Sequence, residues 1–193
     1  TIPTPSEFES LCNTPLTDNR LDNARDLYVI GCATGLRYSD VIRLTMFNIV
    51  DKGDETYLIT DITKTQEQQL LIPLNEVAQH FIKKQFVKGD GAIKYLSNKN
   101  LNEALHDLLK FLEFTTPTRV NRRAGNNTTT EIVPKYEALS FHSSRKFFVS
   151  TCVNSTFINM GNVMAWSGHT NLAVVKSYIQ EGYEQEKEMR KLF

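Results

Sequence analysis

Residues 139–148 read LSFHSSRKFF, an apolar segment interrupted by an imidazole and a guanidinium. Folded as a helix, this segment would bury four apolar side chains: Leu139, Phe141, Phe147 and Phe148. His142 and Arg145 are three residues apart, so a helix places them next to each other on one face. Two polar side chains held together there are either an exposed surface pair or part of a site that binds an anion. The rest of the sequence decides between these two interpretations.

The composition is that of an ordinary globular domain. The chain has 193 residues, 40% hydrophobic and 23% charged, which is enough for one domain with a substantial core. We find neither a signal-peptide pattern nor an apolar run of the roughly 20 residues that span a bilayer. Cys12, Cys32 and Cys152 are too few and too far apart for a disulfide framework or a paired metal site. We therefore expect a reduced, cytoplasmic protein with no membrane partner.

The charge is balanced overall but unevenly distributed. There are 22 basic and 22 acidic residues, and a net charge of zero argues against a surface that grips nucleic acid everywhere. Acidic residues gather near the C-terminus, whereas basic residues gather at Arg119, Arg122, Arg123 and Lys135. A local basic surface can still bind phosphates. Composition alone therefore leaves DNA binding open.

Helices are predicted from caps and apolar spacing. Thr4, Pro5 and Glu7 form a capping box that begins the first helix. A strongly apolar second helix covers residues 20–35 and ends at Gly35. Apolar residues three and four apart predict further helices: one beginning near Ser39–Asp40, two at about 75–87 and 100–114, and three or four short ones from 140 onward.

Two short strands, TYLIT and QLLIPL, flank the polar segment DITKTQEQ and predict a hairpin that carries Lys64. A lysine at such a tip is ordinarily a solvated charge. Residues 115–136 are rich in Thr, Asn, Gly and Arg and predict a long polar loop that either contacts DNA phosphates or is disordered. The predicted fold class is α+β, predominantly helical, with a small antiparallel sheet.

Five polar side chains outside the hairpin each have an ordinary structural explanation. Arg37 in ATGLRYSD and His169 in WSGHTN follow glycines at helix ends, where they would serve as caps or ion-pair partners. His142 and Arg145 would form a surface pair. Tyr178 in VVKSYI lies on an amphipathic segment, where a half-buried core tyrosine is the default.

The order of these residues changes the interpretation. An arginine, a hairpin lysine, an HxxR pair, a GH pair and a tyrosine nine residues further on are the catalytic series of the tyrosine recombinases. From about residue 17 to 181, four segments resemble the local motifs of that family: TGLRYSDVIRLT, TKTQEQQLLIPL, FHSSRKFF and SGHTNLAVVKSYI. The chain therefore resembles a phage or mobile-element integrase catalytic domain. GLRYSDV and PKYEALSFHSSR most resemble mobile-element integrases of gut-type bacteria.

The chemistry of these residue types is consistent with that resemblance. A phosphodiester under attack gains negative charge on its non-bridging oxygens, and two guanidiniums hold such oxygens with forked donors. Arg37 and Arg145 are predicted to hold the phosphate in this way, with His169 as a further hydrogen-bond donor. Each such donor typically stabilises the transition state by about 3–4 kcal/mol. A tyrosine hydroxyl has a pKa of about 10, so Tyr178 needs a base. His142 is the candidate for this base, and general-base catalysis typically raises the reaction rate by roughly 10²–10⁴-fold.

The resemblance implies a metal-independent, cofactor-free DNA recombinase. Lys64 would protonate the departing 5′ oxygen, and Tyr178 would form a 3′-phosphotyrosyl bond that a second 5′ hydroxyl reverses without ATP. The implied partners are double-stranded recombination sites, other protomers in a DNA-bound tetramer, and accessory DNA-bending proteins. The implied location is the bacterial cytoplasm, on the nucleoid when DNA is bound. The histidines and carboxylates show no metal-ligand spacing.

Three neighbouring residues have two interpretations each. Asp40 resembles the acidic residue that steadies the family's site, but it equally suits a helix N-cap. Trp166 stands three residues before His169; some relatives use Trp in the His169 role, but here His169 fills it, which favours a core position for Trp166. Tyr183 is the rival nucleophile, and the nine-residue spacing from His169 favours Tyr178.

The domain organisation is also predicted by resemblance. Residues 1–193 correspond to the catalytic domain alone, without the N-terminal DNA-binding domain that full-length relatives carry. Residues 179–193 include YEQEKEMRKLF, an amphipathic helix that packs on its own domain or is exchanged between protomers.

Two other functions remain open. A type IB topoisomerase would use the same chemistry without exchanging partners. A DNA-binding regulator would keep the fold but lack catalysis.

Overall fold

The computed structural model describes residues 1–61, 69–124, 127–155 and 157–178. Within these ranges the chain has the predicted α+β fold, mainly helical with small antiparallel sheets. Its helices are α1 (Pro5–Asn13), α2 (Asn19–Thr34), α3 (Tyr38–Val41), α4 (Glu76–Lys88), α5 (Asn98–Phe111), α6 (Lys135–Ala138), α7 (Phe141–Val153), α8 (Met160–Ser167) and α9 (Leu172–Lys176). Its strands are β1 (Ile49–Lys52), β2 (Glu55–Asp61), β3 (Gln69–Pro73), β4 (Pro117–Ala124) and β5 (Asn127–Pro134). None of the helices described is long and apolar enough to span a membrane.

The first two helices begin and end where the sequence predicts. Thr4 and Glu7 form the reciprocal capping box of α1. The Asp18 side chain caps α2 by accepting from two backbone N–H groups. Gly35 ends α2 in the left-handed conformation, with φ 70°.

Helix α2 is the centre of the main core. It packs against α7, α4 and α5. Its largest fully buried side chains are Leu27, Tyr28 and Ile30. Helix α5 contributes one apolar face, with Leu101, Ala104, Leu105, Leu108 and Leu109 buried. This core therefore fixes the end of α2 and the start of α7 relative to each other.

The predicted hairpin is present as β2 and β3, which pair antiparallel with Leu58 opposite Ile72. Both side chains are buried against the core, so the alternation of apolar residues sets the register. Strand β1, which the sequence analysis does not predict, adds to the other edge of β2 and completes a three-stranded sheet. Residues 62–68, including Lys64, lie outside the described residues.

The prediction of a polar loop at 115–136 is wrong. Strands β4 and β5 form an antiparallel hairpin whose register runs from Pro117 opposite Pro134 to Ala124 opposite Asn127. The segment has no apolar alternation because it does not cover the core, so periodicity fails to identify it. Its β-branched residues, Val120, Thr128–Thr130 and Ile132–Val133, are the available signal for strands.

A second, smaller core carries the C-terminal part of the described chain. Phe148, Val149 and Cys152 on α7 pack with Val163 on α8 and Val175 on α9. Cys32 and Cys152 are buried free thiols, and Cys12 is a half-buried one. The predicted last helix, within 179–193, lies outside the described residues.

The helix predicted near Ser39–Asp40 is a single turn, α3, rather than a full helix. A 3₁₀ turn at Met46–Asn48 and then β1 follow it. Arg37, not Asp40, occupies the N-cap position, so the interpretation of Asp40 as a plain N-cap is wrong.

Candidate active site

The predicted HxxR helix is held against the centre of the fold by close packing of α7 on α2. Gly31 on α2 has no room for a side chain, since a Cβ there would lie 2.4 Å from Ser144 Oγ and 2.9 Å from Phe141. The absence of a side chain lets the two helix backbones approach each other. This close approach brings Arg145 on α7 to the C-terminal end of α2.

Arg145 is anchored by the backbone at that end. Its Nη1 donates to the Gly35 carbonyl at 2.8 Å. The guanidinium is buried, with 5% of the residue exposed. A substituted residue at position 35 would have the wrong φ and would bring its Cβ to 2.4 Å from Phe148. Gly35 therefore ends α2, leaves space for Phe148 and orients Arg145.

The N-terminus of α7 is capped from another helix. Ser140 makes no side-chain cap there. Instead Asn102 on α5 accepts from the Phe141 N–H through its Oδ1 at 2.8 Å. His106 Nε2, also on α5, lies 2.9 Å from the Leu139 carbonyl, so this histidine has a structural contact. These contacts fix the first turn of α7, where His142 is located.

Arg37 lines the same cavity from a different element. It lies at the N-cap of α3, immediately after the turn formed by Gly35 and Leu36. A cavity of about 300 Å³ is lined by Arg37, His142 and Arg145, together with residues of α3 and Asn98 at the start of α5. The two guanidiniums and the imidazole therefore share one anion-sized cavity.

His169 reaches Arg145 from α8. Gly168 ends α8 in the left-handed conformation with φ 64°, and His169 follows it. Arg145 Nη2 lies 3.2 Å from His169 Nε2 and 3.3 Å from Nδ1. Ser167 Oγ lies 2.7 Å from Nδ1. The Tyr178 ring, just past α9, has its centroid 6.3 Å from that of His169.

The site is electropositive, and its groups shift one another's pKa. Burial, followed by repulsion from Arg37, lowers the pKa of Arg145 to about 10, so the guanidinium remains charged at neutral pH. Burial and the charges of Arg145 and Arg37, together with His142, lower the pKa of His169 to about 4. Desolvation and the charges of Lys146, Arg145 and Arg37 lower the pKa of His142. Both imidazoles are neutral at pH 7.

Five of the six predicted residues are thus brought together: Arg37, His142, Arg145, His169 and Tyr178. Lys64 lies outside the described residues, as does the rival nucleophile Tyr183. Asp40 is buried beside the site, where its charge favours the cationic form of Arg145. Trp166 is half-buried and packs against both cores, in keeping with its interpretation as a core residue.

The residues that support the site carry almost no signal in the sequence. Gly35 was identified only as a helix end, and Asn102 and Ser167 were not identified at all. Only the serine stands near a site histidine in the sequence, two residues before His169. Across the described ranges, no three His, Cys, Asp or Glu side chains are arranged to hold a metal ion.

The sequence model of the phage integrase family matches residues 4–185, nearly the whole chain. This chain belongs to the phage integrase family. No curated protein is detectably similar to it in sequence.

Solved structures share the fold of this integrase-family chain at low sequence identity. XerH site-specific recombinase bound to difH substrate has a TM-score of 0.67 at 12% identity, covering 98% of this chain and 53% of XerH. The Tn1549 transposon integrase in complex with circular intermediate DNA has a TM-score of 0.66 at 19% identity. The match covers 100% of this chain and 67% of the transposon integrase. A lambda integrase dimer bound to a COC′ core site has a TM-score of 0.64 at 15% identity. The match covers 95% of this chain and 60% of the lambda integrase chain. The chain spans about half the length of XerH.

Proposed function

We propose that residues 1–193 are the catalytic domain of a site-specific DNA recombinase that cuts and rejoins DNA through a covalent 3′-phosphotyrosyl intermediate. The observation that carries the proposal is the meeting of Arg37, His142 and Arg145 around one cavity, with His169 against Arg145 and Tyr178 beside His169. Membership of the phage integrase family supports it. The proposed substrate is double-stranded DNA of a mobile element, for integration or excision.

The two arginines act as the anion clamp. A phosphate in the cavity would meet two guanidiniums from different elements, since Arg37 comes from the N-cap of α3 and Arg145 from α7. The Gly35 carbonyl holds Arg145 by Nη1, which leaves Nη2 on the side of His169. Because this donor is positioned before DNA arrives, it needs no reorganisation as negative charge develops on the phosphate.

Proton transfer completes the proposed chemistry. The Tyr178 oxygen attacks phosphorus while its proton passes to His142, and the 5′ oxygen departs with a proton from Lys64. The lowered pKa of His142 favours this role, because a neutral imidazole can accept a proton at pH 7. A 5′ hydroxyl then attacks the phosphotyrosyl bond and restores the tyrosine.

The proposed assembly is a DNA-bound tetramer in which residues 179–193 link neighbouring protomers, assisted by DNA-bending proteins. The DNA-bound structures of XerH, the Tn1549 integrase and lambda integrase support a DNA partner. The tail itself lies outside the described residues.

The test is covalent attachment to DNA. Nicked duplexes tiled across the DNA that flanks the gene are incubated with the intact protein, and adducts stable to SDS are digested and mapped by mass spectrometry. We expect an adduct on Tyr178 that is lost in Tyr178→Phe and kept in Tyr183→Phe. We also expect Arg145→Ala to slow attachment by about 10²–10³-fold. An adduct that persists in Tyr178→Phe contradicts the assignment of the nucleophile.

Two further readouts separate the alternatives. Holliday junctions formed from two cognate duplexes indicate strand exchange, whereas nicking and resealing without junctions indicates topoisomerase-like activity. Tight DNA binding with no adduct under any condition would make the chain a regulator.

A further inference from the structure

Ser167, at the C-terminal end of α8, is fully buried and lies between two hydrogen-bonding groups. Its Oγ donates to the Val163 carbonyl one turn earlier at 2.5 Å. Its Oγ also lies 2.7 Å from Nδ1 of His169. A hydroxyl carries a single hydrogen, and a carbonyl can only accept. Since the hydrogen points to Val163, the contact with His169 requires that Nδ1 carries a hydrogen and donates to Ser167.

A neutral imidazole has only one N–H, so the other ring nitrogen then has none. Arg145 Nη2 is nearly equidistant from both ring nitrogens, at 3.2 and 3.3 Å. It therefore lies against the edge or face of the ring between them, rather than along the lone pair of either nitrogen. The Nε2 lone pair is therefore not used by Arg145, the side chain that joins His169 to the cavity.

We propose that Ser167 is a positioning residue that holds His169 in the Nδ1–H form, so that His169 can donate a hydrogen bond to a bound phosphate only after Nε2 takes up a proton. This inference rests on the proposed function, since it concerns the same phosphate site. Anion binding and protonation of His169 are then coupled. The proton comes from solvent and binds the Nε2 lone pair, and no other bond forms or breaks.

The surroundings of His169 explain why the coupling depends on the anion. The groups that face it are Arg145 and His142 on α7, Arg37 at the N-cap of α3, Ser167 on α8 and the Tyr178 ring after α9. In the absence of an anion, burial and then the positive charges oppose a second ring proton and lower the pKa of His169 to about 4. A phosphate in the cavity offsets those charges and accepts from Nε2–H, and both effects favour the protonated ring.

The tautomer is tested first, on the free protein. Long-range ¹H–¹⁵N spectra of histidine-labelled protein at pH 7 distinguish a protonated ring nitrogen from one with a lone pair. We expect protonated Nδ1 and unprotonated Nε2 for His169. Ser167→Ala should populate the Nε2–H form, and Ser167→Thr, which keeps the hydroxyl, should restore the wild-type pattern. A wild-type His169 with Nε2–H overturns the proposal.

The coupling is tested by the same spectra with an anion. Sulfate is a suitable probe of the phosphate position because it remains a dianion from pH 4 to 8. We expect saturating sulfate to raise the pKa of His169 in the wild-type protein by at least one unit, a tenfold gain in proton affinity, and Arg37→Gln to reduce that rise. A pKa of His169 that stays the same in high sulfate overturns the coupling. The proposed function fails separately, by the absence of a DNA adduct on Tyr178, which neither spectrum requires.

Discussion

At the scale of single residues, the site depends on a glycine that takes no part in the chemistry. Gly35 has φ 70°, a conformation that costs a residue with a side chain about 1–2 kcal/mol. Its carbonyl holds Arg145, and the space beside it is filled by Phe148. Gly53, in the turn between β1 and β2, has a similar φ of 64° but no atom within 4 Å of an added Cβ.

Alanine substitutions at these two glycines distinguish the cost of backbone strain from the cost of steric overlap. Gly53→Ala should lower the free energy of unfolding by about 1–2 kcal/mol, from the backbone alone. Gly35→Ala adds an overpacked contact with Phe148 and should lower the free energy of unfolding by about 2–5 kcal/mol in total. Urea unfolding followed by circular dichroism measures both. Equal losses in the two variants would show that Phe148 moves aside without cost.

His169 makes stability depend on pH. Its folded pKa is about 4, below the roughly 6.5 of an unfolded histidine, so its contribution is fully present above pH 6.5 and is lost as pH falls toward 4. We expect the free energy of unfolding to decrease from pH 7 to pH 5, and His169→Gln to reduce that decrease. Urea titrations at the two pH values test this. A variant whose pH dependence matches the wild type would contradict the lowered pKa.

At the scale of elements, α7 relies on α5 for its N-terminal cap. Ser140 makes no side-chain cap, and the Phe141 N–H instead donates to Asn102 at 2.8 Å. The first turn of α7 carries His142, and the second carries Arg145. The position of the proposed base therefore depends on a side chain 40 residues earlier in the chain.

Removing this cap should affect both stability and activity. Asn102→Ala should lower the free energy of unfolding by about 1 kcal/mol, the usual effect of losing a helix cap. It should also slow covalent attachment to DNA, because the first turn of α7 frays. Asn102→Asp keeps an acceptor at the same distance and is the matched control. Chemical unfolding and the rate of adduct formation measure the two effects. Loss of activity in Asn102→Asp as large as in Asn102→Ala would rule out capping as the cause.

The hairpin of β4 and β5 is an exposed element. None of its residues with a described side chain is buried, and it packs on the short helix α6. Arg122 pairs with Glu131 across the strands at 3.0 Å, an exposed contact of little energetic weight. Arg119 is exposed on the same strand. The hairpin therefore adds positive charge near the domain without supporting its core.

Shortening the hairpin should separate DNA binding from folding. Replacing residues 119–132 with a short Gly-Ser turn should leave the melting temperature within a few degrees, because no buried apolar contact is lost. We expect weaker DNA binding with a shallower salt dependence, by about 0.9 in log–log slope for each phosphate contact removed. Fluorescence anisotropy at several salt concentrations measures the slope. An unchanged slope would show that the hairpin does not touch DNA.

At the scale of the whole molecule, two cores meet at a cluster of positive charge. The main core holds Arg37 at the end of α2, and the smaller core of α7, α8 and α9 holds His169 and Tyr178. Arg145 spans the two, since it contacts Gly35 on one side and His169 on the other. Mutual repulsion of these groups disfavours the folded protein when no anion is bound.

An anion should therefore stabilise the whole domain. Sulfate at 100 times its dissociation constant should add about 2.7 kcal/mol to the free energy of unfolding. Thermal melts with sulfate and with chloride at equal ionic strength measure this difference. Arg37→Gln should reduce the sulfate effect. Arg20→Gln, which removes an exposed arginine paired with Asp107, should not. An equal response in both variants would indicate a general salt effect.

Much of the fold was predictable because its signals are local. Capping at Thr4 and Glu7, the left-handed end at Gly35 and the apolar alternation of β2 and β3 depend on residues close together in sequence. The β4–β5 hairpin has the sequence pattern of a loop, because an exposed strand has no apolar face to give it a period. β1 was missed because its four residues, half-exposed or exposed, pair with only one neighbouring strand.

The sequence by itself predicted which side chains form the site and in what order, because the motifs that carry them resemble those of one family and because nucleophile, base and clamp each need a particular functional group. Only the tertiary structure decided what holds them: a Gly35 carbonyl on Arg145, an Asn102 cap on α7 and a Ser167 hydroxyl on His169. Backbone carbonyls are present at every residue, and serines and asparagines are common. Their roles arise from hydrogen bonds between helices or across a helix end, and those bonds exist only once the chain has packed.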